Sequence, residues 1–231
     1  MSHEIRNPLG AIFLHVDLLE EELQQPSSES PAQIAQILFE IRTQMTRLDE
    51  LLQDYLSLVR VSNIELQPHD LGSSIQAWSA EIEAQAAARS MTFQLEGVEN
   101  LGRVAFHAST LRRAVLNLLQ NALDAMPNGG TLRIACESTA AQVQLRVQDT
   151  GSGIPAERLG RIFEPLYTTK PEGTGLGLYI VQEIVAAHGE QIAVQSVEHQ
   201  GTTFIITLPR APAEVPVQAE PSQHANHLGP E

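Results

Sequence analysis

The sequence predicts an α+β protein in two parts: a helical hairpin that pairs with a second copy into a four-helix bundle, then a mixed α/β domain. Three observations carry that prediction. Two heptad-spaced apolar seams fill the first part of the chain, short strands then alternate with helices, and a long glycine-rich stretch interrupts the second part. The expected boundaries are residues 1–62 for the hairpin, 63–67 for a linker, 68–209 for the α/β domain and 210–231 for a disordered tail. At 231 residues the chain is long enough to bury a proper core.

The first seam places Ile5, Leu9, Ile12, Val16, Leu19 and Leu23 at steps of 4, 3, 4, 3 and 4. That spacing is an apolar stripe along one face of a helix. Gln25-Pro26-Ser27-Ser28-Glu29 breaks it, and Ser30-Pro31 starts a new helix, with serine as N-cap and proline in the first turn. The second seam runs through Ile34, Ile37, Ile41, Met45, Leu48, Leu52, Tyr55 and Val59. Two such helices on a short loop form an antiparallel hairpin, which cannot bury both stripes alone. A second copy solves this as a dimer; the rival solution is packing on the chain's own C-terminal domain.

Beyond the linker, residues 75–88 read as helix and residues 92–95 and 103–106 as short strands. Residues 111–126 are strongly helical and stop at the turn cluster Pro127-Asn128-Gly129-Gly130. Residues 131–136 and 143–148 read as strands, the second because Val143, Leu145 and Val147 alternate with polar residues. Residues 178–187 form a helix closed by His188-Gly189, a C-cap pattern. Residues 192–197 and 203–208 are the last strands, and the proline-rich tail lacks the apolar content to fold.

Charge narrows the function. With 14 Lys+Arg against 28 Asp+Glu the net charge is −14, which opposes binding to nucleic acid and docking on anionic membranes. No apolar run is long enough to span a bilayer, and the start Met1-Ser2-His3-Glu4 is no signal peptide. The single Cys136 cannot close an intrachain disulfide or form a cysteine zinc site, so a cytoplasmic location is expected.

Three clusters carry chemistry. His3 and Asn7 lie four apart on one face of the first helix, with Glu4 able to orient the imidazole so that its other nitrogen is the nucleophile. His69-Asp70 has the same pair without the helical setting and is given no role. Asn117 and Asn121 align on an otherwise apolar helix, where unpartnered amides would cost roughly 1–3 kcal/mol each, so a polar ligand or ion is expected there. Asp149-Thr150-Gly151-Ser152-Gly153 and, further on, Gly173-Thr174-Gly175-Leu176-Gly177-Leu178 suit close backbone approach to phosphate before a helix. Neither glycine segment is a P-loop or a Rossmann turn. Asp149-Thr150-Gly151-Ser152 mimics an aspartic-protease loop, yet sits between long helices instead of in a β-protein. Between the segments stands Lys170, the sole lysine, beside Thr168 and Thr169 in a loop fit to meet phosphate.

Together these residues resemble the sensor histidine kinases of two-component systems. Ser2-His3-Glu4-Ile5-Arg6-Asn7-Pro8-Leu9 is similar to that family's phosphoacceptor box, and the segment from Asn117 to Pro127 to its N box. Asp149 to Gly153 resembles the first glycine box, Phe163 with Thr168-Thr169-Lys170 the F box and lid, and Gly173 to Leu178 the second glycine box. The five boxes in this order cover nearly the whole chain, and Thr-Thr-Lys is nearest the nitrogen-regulator-like branch.

The resemblance implies an ATP-binding α/β sandwich of the gyrase/histidine-kinase type. It implies ATP and Mg²⁺ as cofactors, autophosphorylation on His3, and transfer to an aspartate on a response regulator receiver domain, with phosphatase activity on that regulator. Asp149 would accept from the adenine amino group, Asn121 would hold the metal with Asn117 beside it, and Lys170 and the Gly173–Gly177 backbone would meet the phosphates. The nucleotide site would also take in Gly151, Gly153, Phe163, Thr168, Thr169, Gly175 and Leu176. Glu4 would accept a hydrogen bond or act as base, and Asn7 would orient water during dephosphorylation. Two departures stand out. His3 is nearly terminal, so the chain is expected to be a piece of a longer sensor, and His107 replaces a frequent aspartate as an N-cap exchange. The rival readings are a serine-kinase-type ATP-binding regulator, opposed by His3 with Asn7-Pro8, and a non-catalytic docking module, opposed by the intact glycine boxes.

Overall fold

The computed structural model describes residues 2–25, 30–61, 64–170 and 173–210, while the side chains of His3 and Glu4, residue Asn63 and the expected tail beyond Arg210 lie outside the described residues. Helices α1 (Ser2–Gln24) and α2 (Ser30–Val61) form the hairpin. Ser30 opens α2 and is buried, and its hydroxyl donates to Glu22 of α1, clasping the two helices at the loop end. At the other end Leu51, Leu58 and Val61 of α2, which lie off the predicted seam, join the core of the following domain, while Met45, Leu52 and Tyr55 of the seam stay exposed.

Strand β1 (Gln67–Asp70) pairs antiparallel with β3 (Arg103–Phe106), Gln67 opposite Phe106. The sequence reading contains no such strand, because polar residues and Pro68 hide an extended segment whose partner is remote. Asp70 then caps α3 (Leu71–Ala88), accepting the Ser73 amide at 2.8 Å, so this helix begins ahead of residue 75.

The main sheet contains β2 (Met91–Glu96), β4 (Gly130–Ser138), β5 (Gln142–Asp149), β7 (Gly201–Pro209) and β6 (Ile192–Val197), in the order β2-β4-β5-β7-β6. β2 runs parallel to β4 and every other neighbour is antiparallel. Along β5, Val143, Leu145 and Val147 point into the core, and Asp149 follows in the same alternation. Helices α3, α4 (Ala108–Ala125) and α6 (Gly177–Ala187) cover that face, with Leu118, Leu119, Ile180 and Ile184 fully buried between the layers, and the single-turn α5 (Ala156–Leu159) precedes α6 beside β6. The other face is half-exposed, which makes a two-layer sandwich.

Two further contacts complete the frame. Buried His188 accepts the His107 amide at its Nε2 (3.1 Å) and meets the Ile184 carbonyl through Nδ1 (2.7 Å), joining the end of α6 to the start of α4. His107 does occupy the N-cap position, but its ring bonds no helix amide and instead contacts the Thr110 hydroxyl at 3.2 Å. Arg210 bridges Val104 and donates to the Thr139 carbonyl at 2.8 Å, so this first residue of the expected tail belongs to the folded domain.

Candidate active site

Strand β5 delivers Asp149 to the core face near the C-terminal end of α4. Its Oδ1 accepts the Gly151 amide at 2.8 Å and the Thr202 amide at 3.3 Å, whereas Oδ2 accepts no hydrogen bond from the described residues. Burial pushes the carboxyl above its usual range, although those two amides pull the other way. The residue is only 5% exposed, and Oδ2 is the carboxyl oxygen left open to a further donor. Gly151 packs so closely on α4 that an added Cβ would come within 2.6 Å of the Ala125 carbonyl. The Ser152 amide donates to that same carbonyl at 3.0 Å, fixing the first glycine segment to the helix end. Gly153, with φ +66°, approaches the Val197 carbonyl in the same way on β6.

The second glycine segment forms the other end. Gly175 has φ +68°, and the Leu166 amide donates to its carbonyl at 2.9 Å. Asn117 donates to the Gly177 carbonyl at 3.2 Å, so α4 holds the first turn of α6 directly. Leu176 at the N-cap lends no side-chain bond, and the space where a Gly177 side chain would stand is open. Amides at such a helix start, with their dipole, attract an anion. Thr168 receives the Lys170 amide at 3.0 Å and lies against Gly173, while Thr169 is exposed. Phe163 meets Phe204 edge-on at 6.4 Å and serves as packing under this loop.

Lys170 crosses to α4. Its Nζ donates to Asn121 Oδ1 at 3.0 Å and to Asp124 Oδ2 at 2.7 Å, while Gln120 holds Asp124 Oδ1 at 2.7 Å. Asn121 thus carries a cation on its oxygen, and a metal ion suits the same atom. No group of three or more His, Cys, Asp or Glu side chains among the described residues forms a cage, so Mg²⁺ here would rely on Asn121 and phosphate oxygens.

Of the predicted nucleotide residues, Asn117 and Asn121 of α4 meet Gly177 and Lys170, and Gly151 packs on the end of that helix, whereas Gly153 packs against β6 and Phe163 against Phe204 of β7. Asn7 is not among them: it lies exposed on α1, one turn from His3, with Pro8 inside the helix denying the Glu4 carbonyl its usual amide. Sequence reasoning missed Asp124, although it stands three residues beyond Asn121 on the same face. It also missed Asp54 of α2, which accepts Arg113 at 3.1 Å and Thr174 at 3.0 Å; no local pattern marks those remote partners.

Residues 107–212 match the model of the histidine kinase-, DNA gyrase B- and HSP90-like ATPase family, and residues 1–64 that of the His Kinase A phosphoacceptor domain. The catalytic domain of histidine kinase ThkA is 32% identical with a TM-score of 0.58, over 64% of this chain and 100% of that one. The chain belongs to the sensor histidine kinases. Sensor histidine kinase ZraS of Escherichia coli K12 is 34% identical over 209 residues, or 90% of this chain, and this chain spans 44% of that relative's length. ThkA solved in complex with the response regulator protein TrrA is 27% identical with a TM-score of 0.68, over 91% of this chain and 60% of that one. No helix among the described residues of this histidine kinase is long and apolar enough to cross a membrane.

Proposed function

We propose that this chain is the catalytic part of a protein-histidine kinase that phosphorylates itself on His3 from ATP and passes the phosphoryl group to an aspartate of a response regulator receiver domain. The observation that best supports the reading is that α4 links both glycine segments: the Ser152 amide, three residues beyond Asp149, donates to the Ala125 carbonyl, and Asn117 donates to the Gly177 carbonyl. Asp149 Oδ2 accepts the adenine amino group, and the glycine-segment amides and Lys170 receive the phosphates. Asn121 would hold Mg²⁺, which when bound neutralises charge on the β- and γ-phosphates. A ring nitrogen of His3 attacks the γ-phosphorus, the bond to the bridging oxygen breaks, and ADP leaves with that electron pair. Glu4 accepts the ring proton. In the second step the phosphoryl group moves from nitrogen to a carboxylate oxygen of the regulator, restoring the imidazole. Asn7, one turn along, positions water when the regulator's aspartyl phosphate is hydrolysed.

The same reading makes the protein a homodimer. Phe13 is 68% exposed, Phe39 63% and Leu23 61%, apolar side chains of the hairpin that a second hairpin would cover. Thr168-Thr169-Lys170 favours the nitrogen-regulator-like branch within the family. Incubation of the purified chain with ³²P-ATP should yield acid-labile, base-stable label that disappears in His3→Gln. A wild-type chain that binds ATP and takes no label would refute the kinase reading.

A further inference from the structure

We infer that Asp54 is a positioning residue for phosphoryl transfer, docking the phosphate-binding turn of the catalytic domain against the hairpin at the level of His3. This rests on the kinase reading and adds to it the joint that sets the geometry.

The Asp54 side chain is only 16% exposed, and each of its oxygens has its own partner. Oδ1 accepts Arg113 of α4 at 3.1 Å, and Oδ2 accepts the Thr174 hydroxyl at 3.0 Å. Thr174 lies within the second glycine segment, and the same hydroxyl oxygen accepts the Leu176 amide at 3.3 Å. A line of hydrogen bonds therefore runs from α2 through Asp54 and Thr174 to the N-cap of α6, where phosphate is expected. Arg113 stops the carboxylate from turning away, and its own Nε is buried without a partner, so the guanidinium is held here at some cost. A single partly exposed ion pair adds little to stability. Its consequence is geometric.

The height of the joint follows from the hairpin. Ser30 and Glu22 meet at the loop end, which sets the register of the two helices. His3 lies 19 residues back from Glu22 and Asp54 lies 24 residues on from Ser30. At about 1.5 Å per residue the two differ by only about 8 Å along the axis. Asp54 and His3 share one end of the hairpin, and the phosphate turn is fastened beside that end. Phosphoryl transfer depends chiefly on positioning, so a link that sets this height acts on the rate more than on nucleotide affinity.

The test uses the full chain with Asp54→Ala, Thr174→Val, Thr174→Ser and the Asp54→Ala/Thr174→Val double variant. At saturating ATP, Asp54→Ala and Thr174→Val should each label roughly tenfold to a hundredfold more slowly. Calorimetric affinity for a non-hydrolysable ATP analogue should stay within about twofold, which also shows the domain folded. Thr174→Ser keeps the hydroxyl and should keep the rate, and the double variant should be no slower than the singles, since both remove one contact. Labelling of Asp54→Ala at or above the wild-type rate overturns the inference and leaves the kinase reading intact, as does a loss that follows affinity alone. A wild-type chain without label removes the kinase reading, and this inference with it.

Discussion

Asp149→Asn separates recognition from folding. In the wild type, Oδ1 takes the Gly151 and Thr202 amides at 2.8 and 3.3 Å, and an asparagine oxygen can keep both bonds. The change falls on Oδ2, where an acceptor becomes an NH₂ group facing the donor of the adenine. A hydrogen bond to a charged group contributes about 1.5–3 kcal/mol, which corresponds to roughly a 10- to 140-fold loss of affinity. Stability should move the other way. Burial raises the carboxyl's folded-state pKa, so Asp149 favours the fold at pH below its unfolded value and loses that contribution as pH rises through the folded value. At neutral pH the ionised group is a burden that asparagine lacks, and the variant should melt at the same temperature or higher. Calorimetry with a non-hydrolysable ATP analogue and a thermal melt at pH 7 read both. Affinity within about twofold of wild type, or affinity lost together with the fold, would remove Asp149 from the recognition role.

On the hairpin, Asn7→Ala should label from ATP nearly as well as wild type yet dephosphorylate the regulator's aspartate several-fold more slowly; labelling lost as fully as in His3→Gln would place Asn7 in the kinase step. Light scattering at tens of micromolar should find a dimer, and Phe13→Glu with Phe39→Glu should shift it toward monomer; a monomeric wild type defeats the bundle. Burial pushes the His188 pKa down, opposed by the bond to the Ile184 carbonyl and helped by nearby His107, and Nε2 accepts the His107 amide. Its folded value lies below the unfolded one, near 6.5 in an open chain, so stability is present above that pH and falls as pH drops below it. His188→Gln should flatten the melting temperature between about pH 6.5 and 5, and an unchanged slope would assign the acid loss to other groups.

The parts of the fold legible in the sequence were those with a local period. The heptad steps from Ile5 to Leu23 announce α1, and the alternation of Val143, Leu145 and Val147 announces β5. That alternation also exposes Asp149: the next position in the core register holds a carboxylate, a conflict that only a ligand or two amides resolves. The amides of Asn117 and Asn121 show the same kind of conflict on an apolar helix. What stayed hidden depends on remote partners. β1 exists because β3 offers its edge across a helix and another strand, and no period within Gln67–Asp70 reveals this. Asp54 and Asp124 look like ordinary surface carboxylates until the fold brings Arg113, Thr174 and Lys170 to them.

Charge explains why the lysine stands where it does. A protein of net charge −14 that binds a polyanion must concentrate its cations at the site, and it has one lysine for the purpose. Lys170 rests on Asn121 and Asp124, which satisfies the ammonium and keeps the lid loop next to α4. On the proposed reading Asn121 would hold Mg²⁺ through the oxygen that the Lys170 ammonium now occupies, and the lysine would then be free to turn to the phosphates. Asp124, bonded to Gln120 and Arg89, would remain as the acceptor for the ammonium when the nucleotide is absent. With either occupant a cation would sit on the Asn121 oxygen and offset the acidic surroundings.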